Sequence, residues 1–295
     1  MQVLVTGGSG FIGSNLVNKL IEHGLSVRVF DKVKPQRDDV QWFQGDLLKE
    51  EDVLEACKDV EAVYHLAAIA DVNVALSHFE RCLITNEIGT MNFLKAATVQ
   101  EVERFVLAST TWVYGKTEGT VDESTPIPFP DHIYTKTKIG QEHLVFAYNK
   151  HNGLPYTILR YDIPYGPRMR SNMAIAIFVK KAMRQEAISI FGDGNQGRCF
   201  IYVEDLAEGN AAALKEAGKN QVFNIAGSEF ITMKNIVEDL QEIYGGLKIN
   251  FEPPRPGDFQ GAIVSAEKAK KLLGWKPKNS FKQGLRKYIE FVKKM

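Results

Sequence analysis

A glycine-rich segment near the N-terminus, TGGSGFIG, constrains the fold of this chain more than any other feature. Its glycines Gly7, Gly10 and Gly13 follow an apolar, strand-like run at residues 3–5 and precede a helical pattern. Glycine permits a tight turn and lets the backbone approach a pyrophosphate, while the N-terminus of the following helix offers unpaired N–H groups. The segment therefore predicts a β-α unit that binds a dinucleotide.

The end of the second strand-like run indicates which dinucleotide is bound. Asp31 follows residues 27–30 and lies eighteen positions after Gly13. A carboxylate there accepts hydrogen bonds from a ribose 2′-hydroxyl and repels a 2′-phosphate. The sequence predicts NAD rather than NADP, with the neighbouring Lys32 as a contrary feature.

Strand-like runs alternate with helical patterns through the first half of the chain. This alternation predicts an α/β fold with a Rossmann-type, doubly wound parallel sheet, in which ligands bind beyond the carboxyl ends of the strands. The runs lie at residues 3–5, 27–30, 62–66, 105–108 and 157–159, and the helical patterns at 14–23, 86–97 and 134–150.

Glycine and proline recur in the second half, as in YGPR, FGDGNQGR and EPPRPGD, between shorter helical patterns. We expect an NAD-binding domain at residues 1–165 and a smaller α/β substrate lobe at 166–295, with at least one return of the chain to the first domain. The helical patterns of this half lie near residues 203–215, 232–244, 266–273 and 281–293.

Charge and cysteine content exclude several classes of partner. Lysine plus arginine and aspartate plus glutamate both total 36, so a nucleic-acid partner is not expected. No apolar run reaches the length of a membrane span, and the N-terminus lacks the features of a signal peptide. Cys57, Cys82 and Cys199 form no CxxC pair, so no metal site is predicted, and reduced thiols indicate a cytoplasmic protein.

Tyr134 and Lys138 form the first candidate catalytic pair. They lie four residues apart and share one face of a predicted helix. A phenol has a pKa near ~10, and a nearby ammonium or positive nicotinamide ring lowers it towards neutrality. The pair thus indicates a tyrosine acid–base catalyst, although a tyrosine ring covered by a lysine stem would show the same spacing.

The motifs together resemble the extended branch of the short-chain dehydrogenase/reductase superfamily, the nucleotide-sugar epimerases and dehydratases. The G-x-x-G-x-x-G spacing and the Tyr-x-x-x-Lys pair carry the resemblance, which continues along nearly the whole chain. Further matching segments are Gly45-Asp46-Leu47, His65-Leu66-Ala67-Ala68, Asn86 with Gly89-Thr90, residues 108–115, Tyr165-Gly166-Pro167, Phe191-Gly192-Asp193-Gly194, residues 198–205, Arg255-Pro256-Gly257-Asp258 and Leu273-Gly274-Trp275.

The resemblance implies a catalytic set of Thr110, Tyr134 and Lys138, because the family places a Ser or Thr three positions before the Val-Tyr-Gly segment. The related 4,6-dehydratases have Asp-Glu at the next two positions, where this chain has Thr111 and Trp112. Neither residue transfers protons as a carboxyl group does. The resemblance therefore implies a 4-epimerase, in which hydrogen leaves C4 of the sugar for NAD and returns to the opposite face.

The resemblance also implies which residues contact the cofactor. Asp46 and Leu47 are expected near the adenine, and Tyr161 on the nicotinamide side. The full expected set is Gly7, Gly10, Phe11, Ile12, Gly13, Asp31, Lys32, Asp46, Leu47, Leu66, Ala67, Ala68, Asn86, Tyr134, Lys138 and Tyr161.

A second group of residues is expected to bind the nucleotide sugar. Arg198 and Arg255 stand at the family's diphosphate and ribose positions, and Asp258 is expected to accept from a ribose hydroxyl. Thr110 and Thr111 would contact the sugar, Arg170 a uronate carboxylate, and Asn172 the nucleotide.

The sugar itself remains open at this point. A UDP-hexose of the UDP-glucose/UDP-galactose type is the first expectation, because Trp112 and Ile163 replace residues usual in UDP-glucuronate 4-epimerases. UDP-glucuronate, another nucleotide sugar, a net reductase and a non-catalytic NAD-binding protein are the alternatives. The resemblance further implies a homodimer formed through the helices at 86–97 and 134–150.

Overall fold

The computed structural model describes residues 1–254 and 261–295. A seven-stranded sheet forms its centre, with the strand order β12-β7-β5-β4-β1-β2-β3, and all neighbouring strands are parallel. The strands are β1 (Gln2–Thr6), β2 (Ser26–Phe30), β3 (Gln41–Phe43), β4 (Ala62–His65), β5 (Arg104–Thr110), β6 (Thr120–Val121), β7 (Tyr156–Tyr161), β8 (Pro164–Tyr165), β9 (Ile188–Phe191), β10 (Gly197–Arg198), β11 (Ile201–Tyr202), β12 (Gln221–Ile225), β13 (Ile231–Thr232), β14 (Ile249–Glu252) and β15 (Ile263–Val264).

Helices cover both faces of the sheet, which confirms the predicted doubly wound α/β fold. They are α1 (Phe11–Glu22), α2 (Glu50–Ala56), α3 (Val72–Ser77), α4 (Phe79–Leu83), α5 (Gly89–Val99), α6 (Ile133–Asn152), α7 (Ala174–Met183), α8 (Val203–Ala212), α9 (Met233–Tyr244), α10 (Glu267–Leu273) and α11 (Phe281–Lys293). A π-helical segment, Ile84–Ile88, joins α4 to α5, and a 3₁₀ turn, Thr111–Tyr114, follows β5.

The position of the ligand crevice follows from the strand order. From β1 the chain first builds β2 and β3 on one side and then β4, β5 and β7 on the other. The crossovers therefore diverge between β1 and β4, which opens a crevice beyond the carboxyl ends of these strands. Every residue of β5 is buried, as expected for a central strand covered on both faces.

Residues after position 165 contribute to several cores. Phe178, Ile236 and Leu285 belong to a core of the C-terminal half, whereas Phe223 and Trp275 pack in the same core as β1 and α1. The chain returns to the main sheet at β12, which pairs with β7. The division into domains at residue 165 stays a prediction.

Three further observations concern the described residues, 1–254 and 261–295. No helix in these ranges is long and apolar enough to cross a membrane. These ranges also hold no cluster of three or more potential metal-ligating side chains. Cys57, Cys82 and Cys199 are all buried and free.

Candidate active site

The glycine-rich segment forms a turn packed tightly against helix α1. Gly7 has a φ of +69°, which L side chains rarely adopt. A Cβ atom on Gly13 would lie 2.1 Å from the Gly7 carbonyl oxygen and 2.8 Å from Gly8 Cα. Gly10 caps α1 and supplies no capping side chain, so the first N–H groups of the helix stay available to an anionic ligand. This is the backbone cradle that a pyrophosphate requires.

The segment that follows β4 is fixed beside this turn by hydrogen bonds to the side chain of Thr6. The Thr6 hydroxyl oxygen accepts from the amides of Leu66 (3.1 Å) and Ala67 (3.0 Å). Its hydroxyl also lies 3.0 Å from His65 Nδ1, and burial lowers the pKa of His65 to about 3. His65 is therefore a neutral structural residue that helps to hold the second wall of the crevice.

Asp31 lies at the end of β2 with its carboxylate turned towards the glycine turn. One carboxylate oxygen accepts from the amide of Ser9 (3.0 Å) and the other from the amide of Val33 (3.0 Å). Each oxygen retains a lone pair for a ribose hydroxyl. Lys32, the contrary feature in the sequence, forms an ion pair with Asp46 at 2.9 Å, so its charge is partly compensated.

A cavity of about 1050 Å³ runs along this edge of the sheet. Its volume reaches the upper end of the range of about 300–1,000 Å³ that is usual for small-molecule sites. It brings together nearly all of the predicted cofactor residues, all three predicted catalytic residues and part of the predicted substrate set. The predicted residues that line it are Gly7, Gly10, Phe11, Ile12, Gly13, Asp31, Lys32, Asp46, Leu47, Leu66, Ala67, Ala68, Thr110, Tyr134, Lys138, Tyr161 and Arg170.

The three predicted catalytic residues meet at one end of this cavity. Thr110 is the last residue of β5, and its side chain lies beside that of Tyr134, near the start of α6, and lowers the pKa of the phenol. Lys138 lies one turn further along α6 and donates from Nζ to the Ala108 carbonyl at 2.8 Å. The strand end and the helix thus present a hydroxyl, a phenol and an ammonium group to the same space.

Burial dominates the protonation of this set. It raises the pKa of the half-buried Tyr134 to about 12 and lowers the pKa of Lys138 to about 8. Arg170 supplies the positive charge that lowers the pKa of Tyr134, and the Thr110 side chain has a smaller effect in the same direction. The Lys138 ammonium group donates to the Ala108 carbonyl, and its contribution to the pKa of Tyr134 stays a prediction.

Asn86, a predicted cofactor residue, lies behind the cavity wall rather than in it. Its side chain accepts from the amide of Ile69 (2.8 Å) and donates to the hydroxyl of Thr137 (2.9 Å), which donates to the Tyr134 carbonyl (2.8 Å). The π-helical segment places Asn86 in this position, fully buried. Asn86 therefore ties the cavity wall to the helix that carries Tyr134.

A buried ion pair fixes the position of α6 relative to β5 and β7. Glu142 accepts two hydrogen bonds from Arg160, at 3.0 and 2.7 Å, and one from the Ser109 hydroxyl at 2.5 Å. Arg160 also donates to the Tyr114 hydroxyl at 3.0 Å. Sequence reasoning missed this network, since its members are distant in the chain and match no local motif.

The predicted substrate residues divide into two places. Arg170 forms an ion pair with Asp71 at 3.0 Å, and Asn172 donates to the same carboxylate at 3.3 Å. Thr111 and Arg198 line a second, smaller cavity beside the 3₁₀ turn. Predicted residues Arg255 and Asp258 lie outside the described residues.

Asp162 lines both cavities and was missed as a functional residue. It occurs between the buried strand β7 and the Tyr-Gly-Pro segment. A carboxyl group within an apolar run is the sequence feature that could have pointed to it. Burial raises the pKa of its carboxyl group, whereas the Ile163 amide, the positive charge of Arg198 and the nearby Thr111 side chain lower it.

The fold and this cavity are those of an NAD-binding protein, in which Thr110, Tyr134 and Lys138 lie together at one end. The sequence matches the "NAD dependent epimerase/dehydratase family" over residues 3–226, and the chain belongs to that family.

This chain is similar to solved structures and relatives that are named for different activities. A UDP-glucose 4-epimerase of Thermotoga maritima, solved with UDP-glucose, is 34% identical, with a TM-score of 0.93 and coverage of 100% of this chain and 99% of that one. A UDP-glucuronic acid 4-epimerase of Bacillus cereus, solved with its substrate and NAD, is 32% identical, with a TM-score of 0.92 and coverage of 100% and 99%. UDP-glucuronic acid decarboxylase 1 of Xenopus tropicalis is 31% identical over 99% of this chain and 72% of its own length.

NAD is the cofactor of this chain, and the observed residues fit it. A Cβ at Gly13 would collide with the turn, so glycine at this position is what allows the turn to lie close to the helix. Asp31, Leu47 and Ala67 line the same cavity at the points where a dinucleotide would need a ribose acceptor and apolar walls.

Proposed function

We propose that this protein is an NAD-dependent UDP-sugar 4-epimerase that acts on a neutral hexose of the UDP-glucose/UDP-galactose type. The observation that carries the proposal is the group of Thr110, Tyr134 and Lys138 at one end of the cavity, followed by Thr111 and Trp112 in place of a carboxylate pair.

The roles of these residues follow from their chemistry. The Thr110 hydroxyl bonds the C4 hydroxyl of the sugar, and Tyr134 accepts its proton and later returns it. Lys138 stays mainly protonated below pH 8, because its pKa is about 8, and supplies positive charge beside the reacting groups. NAD, when bound, supplies a reversible acceptor for the hydrogen of C4. Turning of the 4-keto sugar before the hydrogen returns inverts C4.

Elimination and decarboxylation are disfavoured for separate reasons. Elimination at C5 and C6 needs two proton-transferring groups, and Thr111 and Trp112 supply only a hydroxyl beside Asp162 and an indole beside His132. Decarboxylation needs a uronate substrate. Both outcomes give products distinct from an epimer, so product analysis separates them.

The neutral sugar is favoured by the state of Arg170. This residue would face a uronate carboxylate, yet Asp71 already pairs with it at 3.0 Å. To bind a uronate, Arg170 would therefore have to exchange the Asp71 carboxylate for the carboxylate of the sugar. Arg198 and Arg255 are proposed to hold the diphosphate and ribose through bidentate hydrogen bonds, and Asp258 is proposed to accept from a ribose hydroxyl.

We also propose a homodimer in a reducing, cytoplasmic environment. Large apolar side chains are exposed in and just before the first helix expected to pair, among them Leu76 (75%), Phe79 (56%) and Ile88 (41%). Exposed apolar surface of this kind is typical of an interaction surface. Free, buried cysteines support the reducing compartment.

A panel of nucleotide sugars tests the proposed function. The purified full-length chain, given UDP-glucose, UDP-galactose, UDP-N-acetylglucosamine or UDP-glucuronate without added NAD, is expected to interconvert a C4-epimeric pair of neutral hexoses. Products are identified by NMR. A 4-keto-6-deoxy sugar or a pentose as the product would contradict the proposal.

A further inference from the structure

The side chain of Asp162 lies in the wall that the two cavities share. It is 4% exposed and lines the large cavity together with Tyr134 and Arg170. It also lines the small cavity together with Thr111 and Arg198. A substrate whose C4 lies at Tyr134 and whose diphosphate lies towards Arg198 must pass this carboxyl group.

The protein leaves part of the hydrogen-bonding capacity of Asp162 unused. Its carboxylate accepts from the amide of Ile163 at 2.8 Å, and the Thr111 side chain lies beside it. A carboxylate offers about four lone-pair sites, so acceptor sites remain for a donor in the cavity. The Asp162 amide donates to the Ile225 carbonyl at 3.0 Å, which fixes the backbone that presents the side chain.

The charge of Asp162 opposes a second anion. Burial raises the pKa of Asp162 to about 7, because desolvation disfavours the charged form. The carboxyl group is therefore largely ionised only above neutral pH. A like charge in the same buried space adds repulsion. With Arg170 paired to Asp71, the cation that would balance a uronate is engaged elsewhere.

We propose that Asp162 determines sugar specificity by accepting a hydrogen bond from a hydroxyl of the hexose and by repelling a sugar that carries a carboxylate. This inference rests on the proposed function and deepens it, because it names a residue that separates neutral hexoses from uronates. A purely structural Asp162, which only caps the Ile163 amide, would destabilise the fold when replaced and leave the choice of sugar unchanged.

The test is the replacement Asp162→Asn, which keeps the shape and removes the charge. At about pH 8.5, where Asp162 is ionised, we expect the ratio of kcat/KM for UDP-glucose to that for UDP-glucuronate to fall about 10- to 100-fold. Asp122→Asn is the control, since it removes an exposed carboxylate that lines neither cavity and should leave the ratio unchanged. An unchanged ratio in Asp162→Asn overturns the proposal.

Binding measurements separate this inference from the proposed function. The dissociation constants of UDP-glucose and UDP-glucuronate, measured by calorimetry for the wild type, Asp162→Asn and Asp162→Ala, require no turnover. A preference of the wild type for UDP-glucose that both variants lose supports the role of Asp162 even if no epimer forms. Equal preferences in all three proteins overturn it, even if the wild type proves to be an epimerase.

Discussion

Replacement of Tyr134 by phenylalanine is expected to lower kcat by about 10²- to 10⁴-fold, the usual contribution of a general acid–base group. The reason is local. Tyr134 is the proposed proton-transferring side chain, beside Thr110 at one end of the cavity, and phenylalanine keeps the ring while removing the hydroxyl. Affinity for NAD should change little, so the loss should appear in kcat.

The matched control is Tyr148→Phe, a half-buried tyrosine on the same helix that packs against the core and does not line the cavity. Initial rates with the best substrate of the panel, together with the NAD content of each protein, provide the measurement. A Tyr134→Phe enzyme with rates close to those of the wild type would remove the phenol from the mechanism.

Replacement of Gly13 by alanine is expected to abolish retention of NAD. The added Cβ would lie 2.1 Å from the Gly7 carbonyl oxygen and 2.8 Å from Gly8 Cα, and backbone atoms cannot rotate away as a side chain could. The turn must therefore move off helix α1, which removes the cradle for the pyrophosphate. NAD released by heating and quantified by chromatography should fall to a small fraction of the wild-type content.

Gly24→Ala is the control for backbone effects. Gly24 follows the same helix and has a φ of +77°, with nothing within 4 Å of an added Cβ. Its replacement costs about 1–2 kcal/mol of stability through the left-handed backbone, seen as a lower Tm, and should leave bound NAD unchanged. A Gly13→Ala protein that retains a full complement of NAD would contradict our account of the turn.

The parts of this molecule that follow from the sequence are those specified by local patterns. The turn from Gly7 to Gly13, the carboxylate of Asp31 and the spacing of Tyr134 and Lys138 each depend on nearby residues and on strand or helix geometry. The predicted strand at 105–108 extends to Thr110 in the structure, which is why Thr110 can end a fully buried strand and reach the cavity.

The parts that the sequence did not reveal depend on contacts between distant residues. Arg170 and Asp71 are ninety-nine positions apart, and their pairing changes what Arg170 offers a substrate. Asn86 belongs to a segment that matches the family, but the motif does not show where its side chain points. In the structure the π-helical segment directs its side-chain amide to Ile69 and Thr137 and not into the cavity. The short strands of the C-terminal half carry too few residues for a periodic pattern.

The fate of hydrogen at C4 tests the central claim most directly. The enzyme is given the UDP-hexose identified by the panel, labelled with deuterium at C4, without added NAD, and both epimers are examined by NMR and mass spectrometry. The account predicts that deuterium stays at C4 in substrate and product alike. The reason is that bound NAD accepts the hydrogen from C4 and the same hydrogen returns to C4. Loss of deuterium to water, or its recovery in coenzyme released to solution, would contradict the account.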